Sequence, residues 1–95
     1  MLPIFYHPKV KKDLKNLDRG IAHEILTSVI LDLADNPEKG VKLSGDLKNF
    51  YKFPFSLKGV SYRIIYQIQE SKQKELYILF IGVRENAYDK VLRRL

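Results

Sequence analysis

The first third of the chain spaces its apolar residues as one strand and two helices would. Pro3 to Tyr6 form a short apolar run that predicts a strand, and Pro8 suits the first position of the helix that follows. Val10, Leu14 and Leu17 then recur at helical spacing, with lysines on the remaining surface. The pattern therefore predicts a first helix with a basic outer face.

A second, longer helix is predicted from Asp18, a favourable N-cap residue, to about Asp35. Asn36-Pro37 ends this helix, because the residue before a proline is disfavoured in the helical conformation. Its apolar residues form a one-sided stripe at helical spacing. They are Ile21, Ile25, Leu26, Val29, Ile30, Leu33 and Ala34. Because almost no linker separates the two helices, we expect a hairpin that packs on a flat surface.

The second half of the chain is predicted to form three strands and a closing helix. Glu38 to Lys48 precedes them as a loop or irregular crossover. Pro54 indicates that the first strand lies at an edge or carries a bulge, because proline donates no ladder hydrogen bond. The predicted strands are Phe50 to Leu57, Val60 to Gln69 and Leu76 to Val83, and the closing helix runs from Glu85 to Leu95.

Alternation along these strands assigns side chains to the two faces of a sheet. The core face of the first two strands holds Tyr51, Phe53, Phe55, Val60, Tyr62, Ile64, Tyr66 and Ile68. Arg63 falls on the opposite face with Ile65. The third strand is apolar on both faces, as expected of a central strand that is covered on both sides.

These elements predict an α+β fold in a single domain spanning residues 1–95, in the order β-α-α-β-β-β-α. A twisted, mainly antiparallel sheet is expected to pack against the N-terminal helical hairpin. The opposite face of the sheet is expected to be partly open, with Arg63 on it. A chain of 95 residues is long enough for one modest core and too short for two domains.

The net charge of +6 favours an anionic partner such as RNA, DNA or an acidic protein segment. The alternative is a lysine-rich surface that only keeps the protein in solution. The chain has no cysteine, which excludes disulfides and thiolate chemistry. It also has no apolar run of roughly 20 residues, the length that a membrane span needs, and its N-terminus does not fit a signal peptide. A cytoplasmic protein is therefore expected.

Two arginines and a tyrosine in the last third of the chain are the candidates for chemistry. Arg63 lies within an apolar strand, where a guanidinium is costly unless an anion or a polar group meets it. Arg84 ends the last predicted strand, four residues before Tyr88, so both arginines are predicted to point at one place. An RNA phosphate fits that place. The structural alternatives are an Arg63–Glu85 ion pair and a packing role for Tyr88.

The order and spacing of several short motifs resemble those of the RelE/ParE superfamily of toxins from type II toxin–antitoxin systems. The motifs are Tyr6-His7-Pro8, Asn36-Pro37, Lys42-Leu43-Ser44-Gly45, Tyr62-Arg63-Ile64-Ile65-Tyr66, Ile81-Gly82-Val83-Arg84 and Tyr88. The resemblance spans nearly the whole chain. It implies either a RelE-like mRNA-cleaving ribonuclease of the ribosomal A site or a ParE-like inhibitor of DNA gyrase without nuclease activity. The pairing of Arg84 with Tyr88 is closer to the RelE-like pattern.

The resemblance also implies a set of site residues and partners. By resemblance, the positions that carry RNA cleavage are Lys52, Arg63, Arg84 and Tyr88, and the RNA-binding lysines are assigned as Lys11, Lys12, Lys15 and Lys58. The implied partners are a small acidic antitoxin, the ribosome and mRNA, with no metal and no cofactor. The sequence departs from the RelE-like pattern at Pro54, where such enzymes often carry a second lysine. The identity of the general base therefore stays open.

Metal-free RNA cleavage requires an activated 2′-hydroxyl, a stabilised phosphorane and a protonated 5′-oxygen. Arg63 suits the phosphorane, because a planar guanidinium bonds two phosphate oxygens and stays charged. Arg84 could hold the same phosphate or stabilise the leaving oxygen. Tyr88 could stack on a base or align the nucleophile, and Lys52 could bind phosphate as a point charge. A ParE-like inhibitor and a weakened homologue that binds only RNA or antitoxin stay open as alternatives.

Overall fold

The N-terminal third folds as a strand followed by a helical hairpin, as predicted. The computed structural model describes residues 1–95, with the side chain of Asn86 excepted. The elements are strand β1 (Ile4–Tyr6), helix α1 (Val10–Lys15), helix α2 (Arg19–Glu24), a π-helical segment (Ile25–Val29) and helix α3 (Ile30–Asp35). Asp18 caps α2, because its carboxylate accepts hydrogen bonds from the backbone N–H groups of Gly20 and Ile21. The π-helical segment inside the long helix was not predicted.

The rest of the chain forms the sheet and a closing helix. The elements are strands β2 (Val41–Lys42), β3 (Tyr51–Leu57), β4 (Val60–Glu70) and β5 (Lys74–Val83), then helix α4 (Ala87–Arg94). The strand order is β1-β5-β4-β3-β2, in which only β1 and β5 run parallel. The sheet therefore has five strands, one more than predicted. The extra strand β2 pairs through only two residues, too few for alternation to show in the sequence.

Beyond its two residues paired with β2, strand β3 is an edge strand, in agreement with the prediction made from Pro54. Strand β2 pairs only with Tyr51 and Lys52, so at Pro54 strand β3 has β4 as its only neighbouring strand. The missing N–H group of the proline therefore leaves no hydrogen bond to a second strand unmade. The β3–β4 turn is Lys58-Gly59, with φ of +49° and +79°. Positive φ at both central residues is typical of the hairpin turn that matches the right-handed twist of the flanking strands.

A β-bulge at Leu79 interrupts the pairing of the two longest strands. Ile65 pairs with Phe80 and Tyr66 pairs with Ile78, which leaves Leu79 as the additional residue on β5. Strand β1 ends opposite Ile78, so the outer edge of β5 has no strand neighbour from Leu79 onwards.

The two faces of the sheet carry two separate apolar cores. The first core lies between the sheet and the helical hairpin and includes Val10, Ile21, Ile25, Ile30, Leu33, Ala34, Tyr62, Ile64, Tyr66, Leu76, Ile78 and Ile81. The second core lies beneath α4 and includes Leu47, Phe50, Ile65, Leu79, Phe80, Ala87 and Val91. The predicted alternation along β4 is thus confirmed from Tyr62 to Ile68, whereas Val60, next to the hairpin turn, is exposed. Arg63 lies on the face opposite the helical hairpin, as expected, but α4 and the second core cover much of that face, and Arg63 is buried rather than open to solvent. Within the described residues, no helix is long and apolar enough to cross a membrane.

Candidate active site

Arg63 occupies a position on β4 between two uncharged cross-strand neighbours. Its partners in register are Gly82 on β5 and Pro54 on β3. A Cβ atom on Gly82 would lie 2.7 Å from the Phe80 ring, so the Phe80 side chain folds over the glycine. Neither neighbour carries a charge that could neutralise Arg63.

The Arg63 guanidinium is held by Tyr88 of helix α4. Nη1 of Arg63 donates a hydrogen bond to the Tyr88 hydroxyl, and Cζ lies 5.4 Å from the centroid of the tyrosine ring. Arg63 is only 9% exposed, and its Nε atom is buried without a hydrogen-bond partner in the described part of the structure. The alternative of an ion pair with Glu85 is not observed, since the described carboxylates form no salt bridge with Arg63. A buried cation therefore stands without a counter-ion.

Arg84 joins Arg63 in an open groove of about 220 Å³ at the edge of the sheet. Arg84 is exposed and begins the 3-10 turn Arg84–Asn86 that leads from β5 into α4. The other lining residues are Pro54, Phe55, Ser56, Ser61 and Tyr62. The two arginines predicted to point at one place therefore line the same groove, with Arg63 buried and Arg84 exposed.

Two of the lysines predicted to act at the site, Lys52 and Lys58, lie near the groove but are not among the residues that line it. Lys52 is half-buried on β3, opposite Ile65 and two residues before the groove residue Pro54. Lys58 is exposed at the tip of the β3–β4 hairpin, beyond the groove residues Ser56 and Ser61.

The lysines of α1 are placed elsewhere. Lys11, Lys12 and Lys15 are exposed on that helix, and none of them lines the groove. The structure thus brings together Arg63, Arg84 and Tyr88, and it leaves the assignment of the α1 lysines to RNA binding as a prediction.

Two features of this region were not predicted from the sequence: the hydroxyls of Ser56 and Ser61 in the groove, and a buried ion pair between Asp13 and Arg94. Arg94 Nη2 lies 2.6 Å from Asp13 Oδ1, and Arg94 Nη1 lies 2.7 Å from Asp13 Oδ2. Asp13 is three residues after Val10 and four before Leu17, on the apolar side of α1. That spacing is the signal that could have identified it, because a carboxylate on a buried face needs a partner.

The groove provides cations and hydroxyls, and it provides no metal ligands. No group of three or more histidine, aspartate or glutamate side chains is arranged to hold a metal among the described residues. Neither histidine lines the groove. The groove can therefore bind an anion through two guanidinium groups and orient it by hydroxyl hydrogen bonds.

Comparison with solved structures shows the same fold in known toxins. The structure superposes with a TM-score of 0.70 on a chain of the toxin–antitoxin complex RelBE2 from Mycobacterium tuberculosis, at 21% identity over 87% of this chain and 98% of that one. A free-state E. coli toxin RelE with two arginine-to-alanine substitutions gives 0.73, at 16% identity over 99% and 97%. A conserved hypothetical protein from Helicobacter pylori gives 0.59, at 22% identity over 93% and 100%. At these identities the likeness establishes the fold alone.

The family assignment comes from the sequence. No curated protein sequence matches the chain. The sequence model of the ParE-like toxins of type II bacterial toxin–antitoxin systems matches residues 4–92, nearly the whole chain, in agreement with the predicted resemblance. The chain therefore belongs to the ParE-like toxin family of type II bacterial toxin–antitoxin systems, within the RelE/ParE superfamily.

Proposed function

We propose that this toxin is a ribosome-dependent endoribonuclease that cleaves mRNA without a metal ion. The observation that carries the proposal is Arg63, a buried guanidinium with no counter-ion, beside the exposed Arg84 in one open groove. A buried charge without a partner is unfavourable, and a phosphate in the groove would offset that cost. The likeness in fold to E. coli toxin RelE supports the same reading.

The reaction divides among Arg63 and Arg84, which line the groove, and Tyr88, which contacts Arg63. The 2′-oxygen of the message attacks the adjacent phosphorus as it loses its proton, and the P–O5′ bond breaks as the 5′-oxygen gains one. The products are a 2′,3′-cyclic phosphate and a 5′-hydroxyl. Arg63 and Arg84 stabilise the charge that builds on the phosphorane oxygens, and Tyr88 orients the attacking nucleotide while it holds Arg63.

Proton transfer is the weaker part of this site. Pro54 faces Arg63 across β3 and β4, at the position where RelE-like enzymes often carry a second lysine. Lys52 supplies a point charge two residues away on the same strand. With few acid–base groups, the rate depends on an in-line geometry that the ribosome imposes on the message. We therefore infer that the reaction takes place on the ribosome, in the cytoplasm.

An antitoxin partner follows from the family and is supported by the RelBE2 complex, in which a chain of similar fold forms part of a toxin–antitoxin assembly. The net charge of +6 favours an acidic antitoxin. We expect such an antitoxin to cover the groove arginines, because they concentrate positive charge at the site that it must silence.

Primer extension on an mRNA incubated with purified ribosomes tests the nuclease. The wild-type toxin should produce cuts within codons that require ribosomes, and Arg63→Met should reduce the rate about 100- to 1,000-fold, as loss of a preorganised transition-state donor does. The matched control is Arg93→Met, which makes the same change at an exposed position of α4. Cleavage by Arg63→Met at the wild-type rate would contradict the proposed role of Arg63.

A second candidate function is inhibition of DNA gyrase without nuclease activity. The matching family model is that of ParE-like toxins, and Pro54 stands where a RelE-like lysine is often found. A supercoiling assay with purified gyrase separates the two functions. Intact message on ribosomes together with blocked supercoiling would favour the gyrase inhibitor.

A further inference from the structure

Helix α4 carries Tyr88 to Arg63, yet the helix has few means of holding its own position. It spans eight residues, Ala87–Arg94, which is shorter than the roughly 12–15 residues that an isolated helix needs even for marginal stability. Its buried residues are only Ala87 and Val91, while Leu92 and Leu95 are at least half exposed. The docking of α4 therefore requires other contacts.

Those contacts are provided at the C-terminal end of the helix by the Asp13–Arg94 clamp. We use this name for the bidentate pair of the two side chains, which are 2% and 9% exposed. Arg94 also packs over the Phe80 ring, at 5.5 Å from Cζ to the ring centroid. The clamp thus joins α4 to α1 and to β5 at once.

The clamp also pairs with two backbone groups on the edge of β5 that strand β1 leaves open. Asp13 Oδ2 accepts a hydrogen bond of 3.1 Å from the Ile81 N–H group, and Arg94 Nη1 donates one of 2.9 Å to the Leu79 carbonyl. Because these backbone groups fix where both side chains sit, the clamp defines the position of α4 against the sheet. Sliding or lifting the helix would leave the buried Asp13 carboxylate without its cation and the Leu79 carbonyl without its donor.

We propose that Asp13 and Arg94 are positioning residues for the candidate active site. The clamp fixes the end of α4, and six residues earlier, about 9 Å along the helix axis, the same helix presents the Tyr88 hydroxyl to Arg63. Its effect on cleavage rests on the proposed nuclease function, whereas its effect on the geometry of Tyr88 and Arg63 does not. Neither clamp residue lines the groove, so neither touches substrate there.

Two consequences distinguish positioning from a purely structural role. Breaking the clamp should displace Tyr88 while the first core, on the other face of the sheet, keeps its packing. It should also lower the cleavage rate about 100-fold, the effect expected of roughly 1 Å of misplacement at a reacting centre. Because Arg94 would act through Tyr88, removing both should cost little more than removing Tyr88 alone.

The geometry is tested by NMR of the full chain labelled with carbon-13 at the tyrosine ring. Tyr88→Phe assigns the Tyr88 signal, and the signals of Tyr62 and Tyr66 report on the first core. In Arg94→Met we expect the Tyr88 signal to move toward that of a solvent-exposed tyrosine while the two core signals stay. Arg93→Met, one residue away and exposed, should leave all three unchanged. An unmoved Tyr88 signal in Arg94→Met would overturn the proposal.

Milder variants keep the test decisive if Arg94→Met unfolds. Asp13→Asn retains an acceptor for Ile81 but loses the charge, and Arg94→Lys retains the charge but loses the bidentate fork. Both should shift the Tyr88 signal by less than Arg94→Met would, with the core signals in place. If neither variant moves Tyr88, the clamp does not position it.

The catalytic consequence is tested by single-turnover cleavage of ribosome-bound mRNA. Arg94→Lys should lose less activity than Arg94→Met, and Arg94→Met added to Tyr88→Phe should cause less than a threefold further loss. A further loss of 100-fold would show that Arg94 acts independently of Tyr88 and overturn its positioning role. If the wild-type toxin cuts no message, the proposed function fails, and the NMR measurement still decides whether the clamp positions Tyr88.

Discussion

Substitution by methionine should change the free energy of unfolding in opposite directions at Arg63 and Arg94, two arginines whose side chains are almost inaccessible to solvent. Arg63 is 9% exposed and has no counter-ion in the described structure, whereas the Arg94 side chain is 9% exposed and is bound bidentately by Asp13. Methionine has an unbranched side chain that fills a similar apolar volume without a charge. We predict that Arg63→Met stabilises the protein and that Arg94→Met destabilises it.

The magnitudes follow from what each substitution leaves behind. Arg94→Met leaves Asp13 buried without its cation, which should lower the free energy of unfolding by about 3–5 kcal/mol. Arg63→Met removes an unsatisfied buried donor, worth about 1–3 kcal/mol, together with an unpaired charge, and it loses one hydrogen bond to Tyr88. We expect a net gain of about 1 kcal/mol at Arg63, equivalent to a rise in Tm of about 4–8 °C.

Urea unfolding of the two variants beside the wild type provides the measurement, with Arg93→Met as the exposed control. The comparison is meaningful only if the m-values agree, since that shows that the same surface is exposed on unfolding. A loss of more than about 1 kcal/mol in Arg63→Met would refute the reasoning. Arg63 would then be a structural residue, and a phosphate-binding role for it would lose its main support.

Three further predictions concern the scaffold. Tyr66→Phe should lower the free energy of unfolding by about 1–3 kcal/mol, because the Tyr66 hydroxyl accepts from the Gly40 N–H group at 3.0 Å and donates to the Pro37 carbonyl at 2.7 Å. Burial raises the pKa of Tyr66 above its usual 10.0, so the stability that its hydroxyl contributes is full below pH 10 and is lost as the pH rises through the folded-state pKa. Urea titrations should therefore show the difference in free energy of unfolding between wild type and Tyr66→Phe shrinking above pH 10. Gly40→Ala should lower Tm, because its Cβ would lie 2.8 Å from the Lys52 carbonyl oxygen, and an unchanged Tm would contradict this packing. Asp18→Ala should cost about 1 kcal/mol through loss of the α2 cap, and urea unfolding equal to the wild type would show that the cap contributes nothing.

The fold could be predicted wherever the chain repeats a pattern over several residues. The stripe from Ile21 to Ala34 and the alternation from Val60 to Ile68 each extend over enough residues to define a period. Strand β2 and the bulge at Leu79 escape such reasoning, because two residues have no period and a bulge is a break in one. Both are set by pairing with a neighbouring strand, which the local sequence does not show.

In the candidate site, the meeting of Arg63 and Tyr88 could be predicted from the sequence, whereas the pair of Asp13 and Arg94 could not. Arg63 and Tyr88 are 25 positions apart. Their meeting could be expected because Arg84 directly follows a strand of the same sheet, four residues before Tyr88, although the packing of α4 over that face was not predicted. Asp13 and Arg94 are 81 positions apart, and one lies in a lysine-rich helix that reads as a solvated surface. Recognising that pair requires knowing that β1 stops opposite Ile78 and exposes the edge that they cover. The catalytic roles of Lys52, Arg63, Arg84 and Tyr88 stay predictions.

The division of the sheet into two faces explains how so small a chain can contain an unpaired buried cation. The first core, with the helical hairpin, provides most of the fully buried apolar side chains. Of the residues that line the groove, only Phe55 and Tyr62 also contribute to that core. The second face is covered by one short helix, which leaves room for the groove. A cost of about 1 kcal/mol at Arg63 is small beside the roughly 5–14 kcal/mol expected for a chain of this length. Most of the stability and the proposed chemistry thus come from opposite faces of one sheet. The protein can therefore keep an unpaired buried guanidinium beside the groove and still be stably folded.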